Sequence, residues 1–476
     1  MAAAVDVEYC DAFIEEAPED VATRMAEQQP SLVGFSCYVW NIEATLAVAQ
    51  EFKRLRPDAR VILGGPEAGG LARRILKSSP VVDFIATGEG EETFRLLLRA
   101  LFLGEGELAA VPGLARREHG RLAIRPEPPL IDLAHEPSPY LSHDVPMPHD
   151  PGAVLVETSR GCPFACAYCN WGRRKMRYLS LERIEDDFKF VLEYSSCVIL
   201  NDADILVERK RALAIMTAFL CASQGRSAVL TVETNPLHLR PEIVDLVARF
   251  PGNFSFAFGL QSISPQVNQL VGRPFNLEDI EARLSYFKAR CPDVDTRFSL
   301  IYGLPGDSLR GFEQTLEWAL RHNPGRLCLN QCLALPGSEL TRRKQDFGLK
   351  IENRAPHRVL STPTMSAGDM RKARRMASLI LFLFAFQQPS LSDRFRGCRP
   401  PHKNGGILPL LAKWEAFLIK NGIEIERCGR FERALGFPYD PGELSAQEFL
   451  RNPLELAVLM KATDIFLREL DRRRSL

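Results

Sequence analysis

Short apolar runs alternate with stretches in which apolar residues recur every three to four positions, and the alternation occupies two separate parts of the chain. In residues 1–125, Leu32–Ser36 (LVGFS), Val61–Leu63 and Phe84–Ala86 have the length and composition of buried strands. Glu43–Leu55 has a helical period, with Pro57 just after its end, and Glu92–Leu103 has one again. Val61–Leu63 runs into Gly64-Gly65-Pro66, and Phe84–Ala86 into Gly88-Glu89-Gly90-Glu91. Strand, glycine turn and helix, repeated, predict a parallel doubly wound, Rossmann-like α/β sheet.

Residues 126–150 break the pattern with Pro126, Pro128, Pro129, Pro137, Pro139, Pro146 and Pro148. Proline at this density sustains neither a helix nor a central strand, so the segment reads as a linker. The alternation resumes over 151–339, with strands expected at 153–157, 197–201, 228–234, 254–260, 296–302 and 326–333 and helices such as Leu181–Tyr194 and Leu277–Arg290 between them. Six parallel strands with crossovers are two short of a closed eight-fold barrel, which predicts an open, partial (β/α)6 barrel with its site at the strand C-termini. From 340 to 476 the strand pattern is lost, and Asp369–Phe386, Leu408–Asn421 and Leu454–Arg473 predict a helical C-terminal region.

Composition narrows the class. Length suits two or three domains, apolar residues make up 46% and charged residues 25%, and formal net charge is zero. Neither a nucleic-acid footprint nor an acidic tail is expected, and Arg472-Arg473-Arg474 reads as a solvated helix end. No basic segment followed by an apolar core opens the chain, so no signal peptide is expected. The longest apolar run, Leu379–Phe386, preceded by Lys372, Arg374 and Arg375, is far short of the roughly 20 residues a membrane helix needs and reads as a buried helix. Most of the twelve cysteines stand singly in apolar stretches, such as Cys197, Cys328 and Cys332, as in a protein of the reducing cytoplasm.

One cluster differs. Glu157 opens ETSRGCPFACAYCNWG, directly after the first barrel strand, with Cys162, Cys166 and Cys169 spaced C-x3-C-x2-C. Thiolates are the ligands of iron–sulfur clusters, and three on one loop can wrap one face of a cubane, leaving the fourth iron for substrate. Structural zinc would want a fourth protein ligand, and the loop contains no histidine.

This motif, with Tyr168 before the last cysteine, resembles the signature of the radical S-adenosylmethionine (SAM) superfamily. The resemblance implies that SAM chelates the open iron of a [4Fe–4S] cluster through its amino and carboxylate groups, and that one electron splits it into methionine and a 5′-deoxyadenosyl radical. It places Asn201, Asp202, Glu233, Gln261 and Tyr302 at strand ends around SAM, with Tyr168 on the cysteine loop and Arg297 on the fifth strand. The glycine-glycine-glutamate form usual after the second strand is absent here, Asn201 and Asp202 standing in its place.

VGFSCYVWNIEATL, VILGGPEAGG and VDFIATGEGEETF, in that order, resemble the cobalamin-binding domain that precedes many radical SAM barrels. The likeness places Ser36, Gly64, Gly65, Pro66, Glu67, Gly88, Glu89 and Gly90 around the corrin and its nucleotide tail; glycine lets backbone approach a large planar ligand. A bland alternative is that these glycines only turn the chain. No D-x-H-x-x-G motif is present, so no histidine is evident as lower axial ligand. The domain in such relatives opens with a strand and helix ahead of the segment that here begins at Val5-Asp6-Val7; that first unit is expected to be missing, through an upstream start or a trimmed domain, which would expose a sheet edge or part of the pocket.

The resemblance implies a cobalamin-dependent radical SAM enzyme, foremost a methyltransferase acting on an unactivated carbon of a small molecule or peptide. FSCYVWNIE and APHRVLSTPTMS link it to a subgroup of such proteins. Alternatives are a non-methylating rearrangement, cyclisation or ring contraction, with or without cobalamin, and a cobalamin- or SAM-binding regulator without turnover. An electron donor such as flavodoxin or ferredoxin is implied; nucleic acid and membrane are not. No catalytic side chain beyond the cofactor contacts is legible. His402 and Lys403, near Gly405-Gly406, are polar groups without an assigned role.

Overall fold

The computed structural model describes residues 5–142, 147, 151–172, 174–322, 324–385 and 407–420. The first sheet contains β1 (Leu32–Ser36), β2 (Arg60–Gly64), β3 (Phe84–Ala86), β4 (Leu114–Glu118) and β5 (Arg121–Ile124), in that order. β1, β2 and β3 are parallel, with Ser36 opposite Gly64 at their C-terminal ends. Helix Ile42–Leu55 returns the chain between β1 and β2 and buries Val48, Ala49 and Phe52 against Val61 and Leu63. The helix expected over 92–103 starts at Gly90 and passes into a π turn, Arg99–Leu103. β4 and β5 are antiparallel additions that the apolar pattern did not reveal, because three of their nine positions are arginine and only Leu114 and Ala115 are buried.

All six expected barrel strands are present. β6 (Val154–Val156), β9 (Cys197–Leu200), β10 (Val229–Thr234), β11 (Phe254–Gln261), β12 (Asp295–Tyr302) and β13 (Arg326–Gln331) form one parallel sheet in sequence order. Between β6 and β9 lies a separate antiparallel hairpin, β7 (Ser159–Cys162) and β8 (Arg174–Tyr178). Crossover helices begin at side-chain caps: Ser180, Asn276 and Ser308 each accept an N–H three residues on.

The two faces of the strands divide the labour. Phe256, Phe258, Phe298 and Leu300 point to the helices and are fully buried beside Phe287, Leu316 and Trp318. The alternate positions Thr231, Glu233, Gln261, Arg297 and Ser299 face the other way and are only partly buried. These are the positions free to meet a ligand.

After β13 the chain adds a small ladder, β14 (Lys350–Ile351) with β15 (Val359–Ser361), inside the region where no strand was expected. Helix Ala367–Ala385 follows, and its Leu379 and Ile380 are buried in the barrel's outer core, as the short apolar run implied. Helix Ile407–Lys420 packs on it through Trp414 and Leu418. The expected helix Leu454–Arg473, together with His402, Lys403 and Phe386, lies outside the described residues. Among the described residues no helix is long and apolar enough to cross a membrane.

Candidate active site

Cys162 ends β7, and Cys166 and Cys169 follow on the loop that leads to β8. All three are partly buried thiols. Burial and the neighbouring sulfurs push the Cys162 thiol up to about 11 and raise that of Cys169. N–H groups answer them: Trp171 N–H donates to Cys169 Sγ at 3.3 Å, and Arg273 Nη1 donates to Cys166 Sγ at 3.8 Å. Among the described residues no three His, Cys, Asp or Glu side chains meet at an ion-sized point. A cubane asks for a wider set, because each thiolate binds a different iron. The donor set therefore fits an iron–sulfur cluster: three thiols around one loop, with N–H donors turned toward sulfur.

The loop is anchored to the barrel. Ala167 N–H bonds Val271 O at 2.8 Å, and Leu340 N–H bonds Ala167 O at 2.9 Å. Tyr168 sits in an apolar group with Val267, Val271 and Leu304, and its hydroxyl accepts from Arg273 Nη1 at 3.2 Å. Asn170 donates to Pro336 O at 3.1 Å, while its Oδ1 is buried without a partner.

Deeper in the barrel, Glu233 and Arg297 stand one strand apart on either side of Ala257 and meet across that small residue, Arg297 Nη2 to Glu233 Oε1 at 3.1 Å. Burial raises the Glu233 carboxyl, and Arg297 opposes the rise. Arg297 Nε and Gln261 Oε1 are buried without protein partners. Gln261 lies at a register shift in β11 with a φ of 67°, a left-handed conformation unusual for its residue type. Unpaired polar atoms beside a charged pair, on the face turned from the helices, suit the amino, carboxylate and ribose groups of SAM.

Two expected SAM contacts are placed elsewhere. Asp202 is 4% exposed, and its carboxylate accepts from Thr158 N–H and Oγ1 and from Ser159 N–H and Oγ. Burial pushes it up to about 6, and it pins the entry to β7 rather than facing an opening. Tyr302 is on the helix side of β12, its ring tilted against that of Phe312 with centroids 5.4 Å apart, and burial pushes its hydroxyl up to about 12. Asn201 remains partly exposed beside Asp202, its N–H bonded to Val156 O.

In the first sheet, Ser36 and Pro66 are exposed at the strand ends, a Cβ on Gly64 would meet nothing nearer than Phe35 O at 4.0 Å, and one on Gly90 nothing at all. That ledge has room for a flat ligand, and the parallel rings of Tyr38 and Trp40, 4.5 Å apart, flank it in the loop after β1. Gly65 is required by the fold instead: its φ is 92°, and a Cβ would strike Cys37 O at 2.5 Å. Glu67 turns inward, 2% exposed, and pairs with His357 at 2.7 Å.

Glu89 does not face open space either. It accepts from Arg177 Nη1 at 3.0 Å and lies 3.5 Å from Arg160, which also binds Glu91 at 2.6 Å and Glu157 at 2.9 Å. These pairs bind the turn after β3 to the hairpin that carries Cys162, so the C-terminal ends of the two sheets meet. Arg160, Arg177, Arg273 and His357 were not singled out from the sequence. Arg160 lies within the cysteine motif, three residues after its partner Glu157, but no local spacing relates Arg177, Arg273 or His357 to the motifs they touch; the glycine before Arg273 is the nearest thing to a signal.

Residues 1–98 match the B12 binding domain family and residues 156–319 the Radical SAM superfamily. The chain is 33% identical over 304 residues to the cobalamin-dependent radical SAM methyltransferase TokK of Streptomyces tokunonensis, covering 60% of this chain and 44% of that protein. It is 32% identical over 379 residues to the 2-(S-pantetheinyl)-carbapenam-3-carboxylate methyltransferase of Streptantibioticus cattleyicolor, covering 75% and 51%. An anaerobic magnesium-protoporphyrin IX monomethyl ester cyclase of Rubrivivax gelatinosus is 23% identical, covering 73% and 64%. The chain thus spans about half the length of the first two relatives. Among solved structures, the cobalamin-dependent SAM radical enzyme OxsB shares the fold with a TM-score of 0.62 at 15% identity, over 97% of this chain and 74% of that one. By its two domain matches and the order in which they stand, the chain carries a B12-binding domain ahead of a radical SAM domain.

Proposed function

We propose that this chain is a cobalamin-dependent radical SAM enzyme that methylates an unactivated carbon of a small molecule or peptide. The observation that carries the reading is the joining of Glu89 and Glu91 to Arg177 and Arg160, which sets the open ledge of the first sheet beside the cysteine loop of the second. A reaction using both cofactors needs them at one site. The names of the two relatives above 30% identity support methyl transfer.

In this reading Cys162, Cys166 and Cys169 hold the [4Fe–4S] cluster, Glu233, Gln261 and Arg297 orient SAM with Tyr168 and Asn201 at its margins, and Ser36, Gly64, Pro66 and Gly90 receive the cobalamin, while Gly88, whose φ is 74° and whose Cβ would meet Glu127 at 2.6 Å, serves the turn as Gly65 does. Asp202, Glu67, Glu89 and Tyr302 support that set from behind. When bound, these groups supply one-electron cleavage of SAM and a methyl donor. The protein's own part is to orient and to exclude water. Arg297 offers a fixed positive charge for a carboxylate, with Glu233 restraining its guanidinium. The aromatic layer on the far side of β11 and β12 closes the barrel wall.

We place the protein in the cytoplasm with a small redox protein as electron donor; most of its cysteines stand singly in apolar stretches, as suits a reducing compartment. The Rubrivivax cyclase keeps ring formation as a second reading. Titrating the purified protein anaerobically with hydroxocobalamin tests the cofactor: retained corrin absorbance is expected, and none after desalting would overturn it. Transfer of isotope from methyl-labelled SAM to an organic product separates methylation from cyclisation.

A further inference from the structure

Arg273 touches the cysteine loop and a barrel strand at the same time. Its Nη1 donates to Cys166 Sγ at 3.8 Å and to Tyr168 Oη at 3.2 Å, and its Nη2 donates to Gly259 O near the end of β11. The segment before it runs along the loop: Val271 O accepts from Ala167 N–H, and a Cβ on Gly272, whose φ is 66°, would lie 3.0 Å from Ala165 O. Gly259 is small enough to admit the guanidinium, since a Cβ there would stand 3.2 Å from Arg273 Nη2. Asn268 O fixes the Arg273 backbone at 2.8 Å. By contrast, Cys169 receives a backbone N–H, from Trp171 at 3.3 Å.

We propose that Arg273 is a positioning residue that sets the reduction potential of the cluster through the Cys166 sulfur. The proposal rests on the reading that Cys162, Cys166 and Cys169 hold a [4Fe–4S] cluster. A cluster gains negative charge on reduction. A fixed cation donating a hydrogen bond to one of its thiolates stabilises the reduced form more than the oxidised form, and so makes the potential less negative. The planar fork matters as well as the charge, because one guanidinium reaches Cys166, Tyr168 and Gly259 together, which a lysine ammonium cannot do in the same geometry.

The test compares wild type, Arg273→Met and Arg273→Lys after anaerobic reconstitution, by iron and sulfide analysis and by redox titration followed by electron paramagnetic resonance. Arg273→Met is expected to shift the midpoint to a more negative potential and to alter the spectrum of the reduced cluster. Arg273→Lys is expected to fall between it and wild type. A wild-type potential in Arg273→Met overturns the proposal. If Arg273→Met takes up no cluster, the lysine variant decides: a more negative potential supports the proposal, and an unchanged one shows that the arginine serves only to hold the loop and overturns it. Failure of wild type itself to bind a four-iron cluster would refute the cysteine-ligand reading instead.

Discussion

Arg177, on the second strand of the hairpin that carries the cysteine loop, donates at 3.0 Å to the carboxylate of Glu89, 88 residues earlier in the turn after β3, and so joins the hairpin to the first sheet. Both side chains are largely buried, at 12% and 17% exposure, so their attraction is only weakly screened. Arg177 also donates to Ile131 O in the proline-rich segment, so one guanidinium gathers three parts of the chain. Glu89→Gln or Arg177→Gln should each lower unfolding stability by about 1–3 kcal/mol, the usual scale for a hydrogen-bonded charge. A double-mutant cycle by urea denaturation should give a coupling of about 1 kcal/mol or more, whereas strictly additive losses would mean the pair does not join the sheets.

The parallel strands of both sheets were legible because each is a short apolar run closed by a glycine or polar turn, Phe84–Ala86 before Gly88 and Phe254–Gln261 before Ser262 being examples. The cysteine loop was legible because its three cysteines lie within eight residues of one another. The roles around it were less so. Asp202 and Tyr302 occupy strand ends as expected, but a one-residue difference along a strand turns a side chain to the opposite face, and Tyr302 falls on the helix side beside Phe312. Glu67 and Glu89 belong to glycine motifs that suggest a ligand, yet each carboxylate is taken by a distant cation, His357 or Arg177, that no local pattern announces.

The buried pair of Glu67 and His357 gives a pH signature. Hydrogen bonding to Glu67 raises the imidazole above its ordinary value of 6.5. A raised folded value means the contribution is fully present below 6.5 and is lost as pH rises through the folded value. Wild type should therefore exceed Glu67→Gln in stability by more at pH 6 than at pH 9, measured by denaturant unfolding at each pH. An equal gap at both would show that His357 does not carry the proton.

Asp307, in the turn after β12, gives a loss of stability in the same direction, as pH rises, from a different cause. It is 2% exposed, accepts Ser308 N–H at 2.8 Å through Oδ1, and has no partner for Oδ2, so burial pushes it from 3.8 up to about 6. Between those values the folded chain holds a proton that the unfolded chain has released, so stability falls as pH rises through that window. Asp307→Asn keeps an acceptor for Ser308 and removes the charge. Relative to wild type it should gain as much as about 3 kcal/mol between pH 4 and pH 7. A pH-independent difference between the two would contradict the ionised carboxylate.

Arg297 gives a direct test of the proposed SAM site. Arg297→Met leaves Glu233 without its cation and removes the fixed positive charge from the inner face of β12. Binding of SAM, followed by anaerobic calorimetry on cluster-loaded protein, should weaken by about 10- to 100-fold, the scale of one charge-assisted hydrogen bond. Unchanged affinity would move SAM away from this pair.

The decisive measurement concerns the cysteine loop itself. Wild-type protein, reconstituted anaerobically and given SAM and a strong reductant, should contain a [4Fe–4S] cluster and release 5′-deoxyadenosine, and Cys166→Ala treated alike should release none. Formation of 5′-deoxyadenosine by Cys166→Ala at the wild-type rate, or its absence from cluster-loaded wild type, would contradict the account.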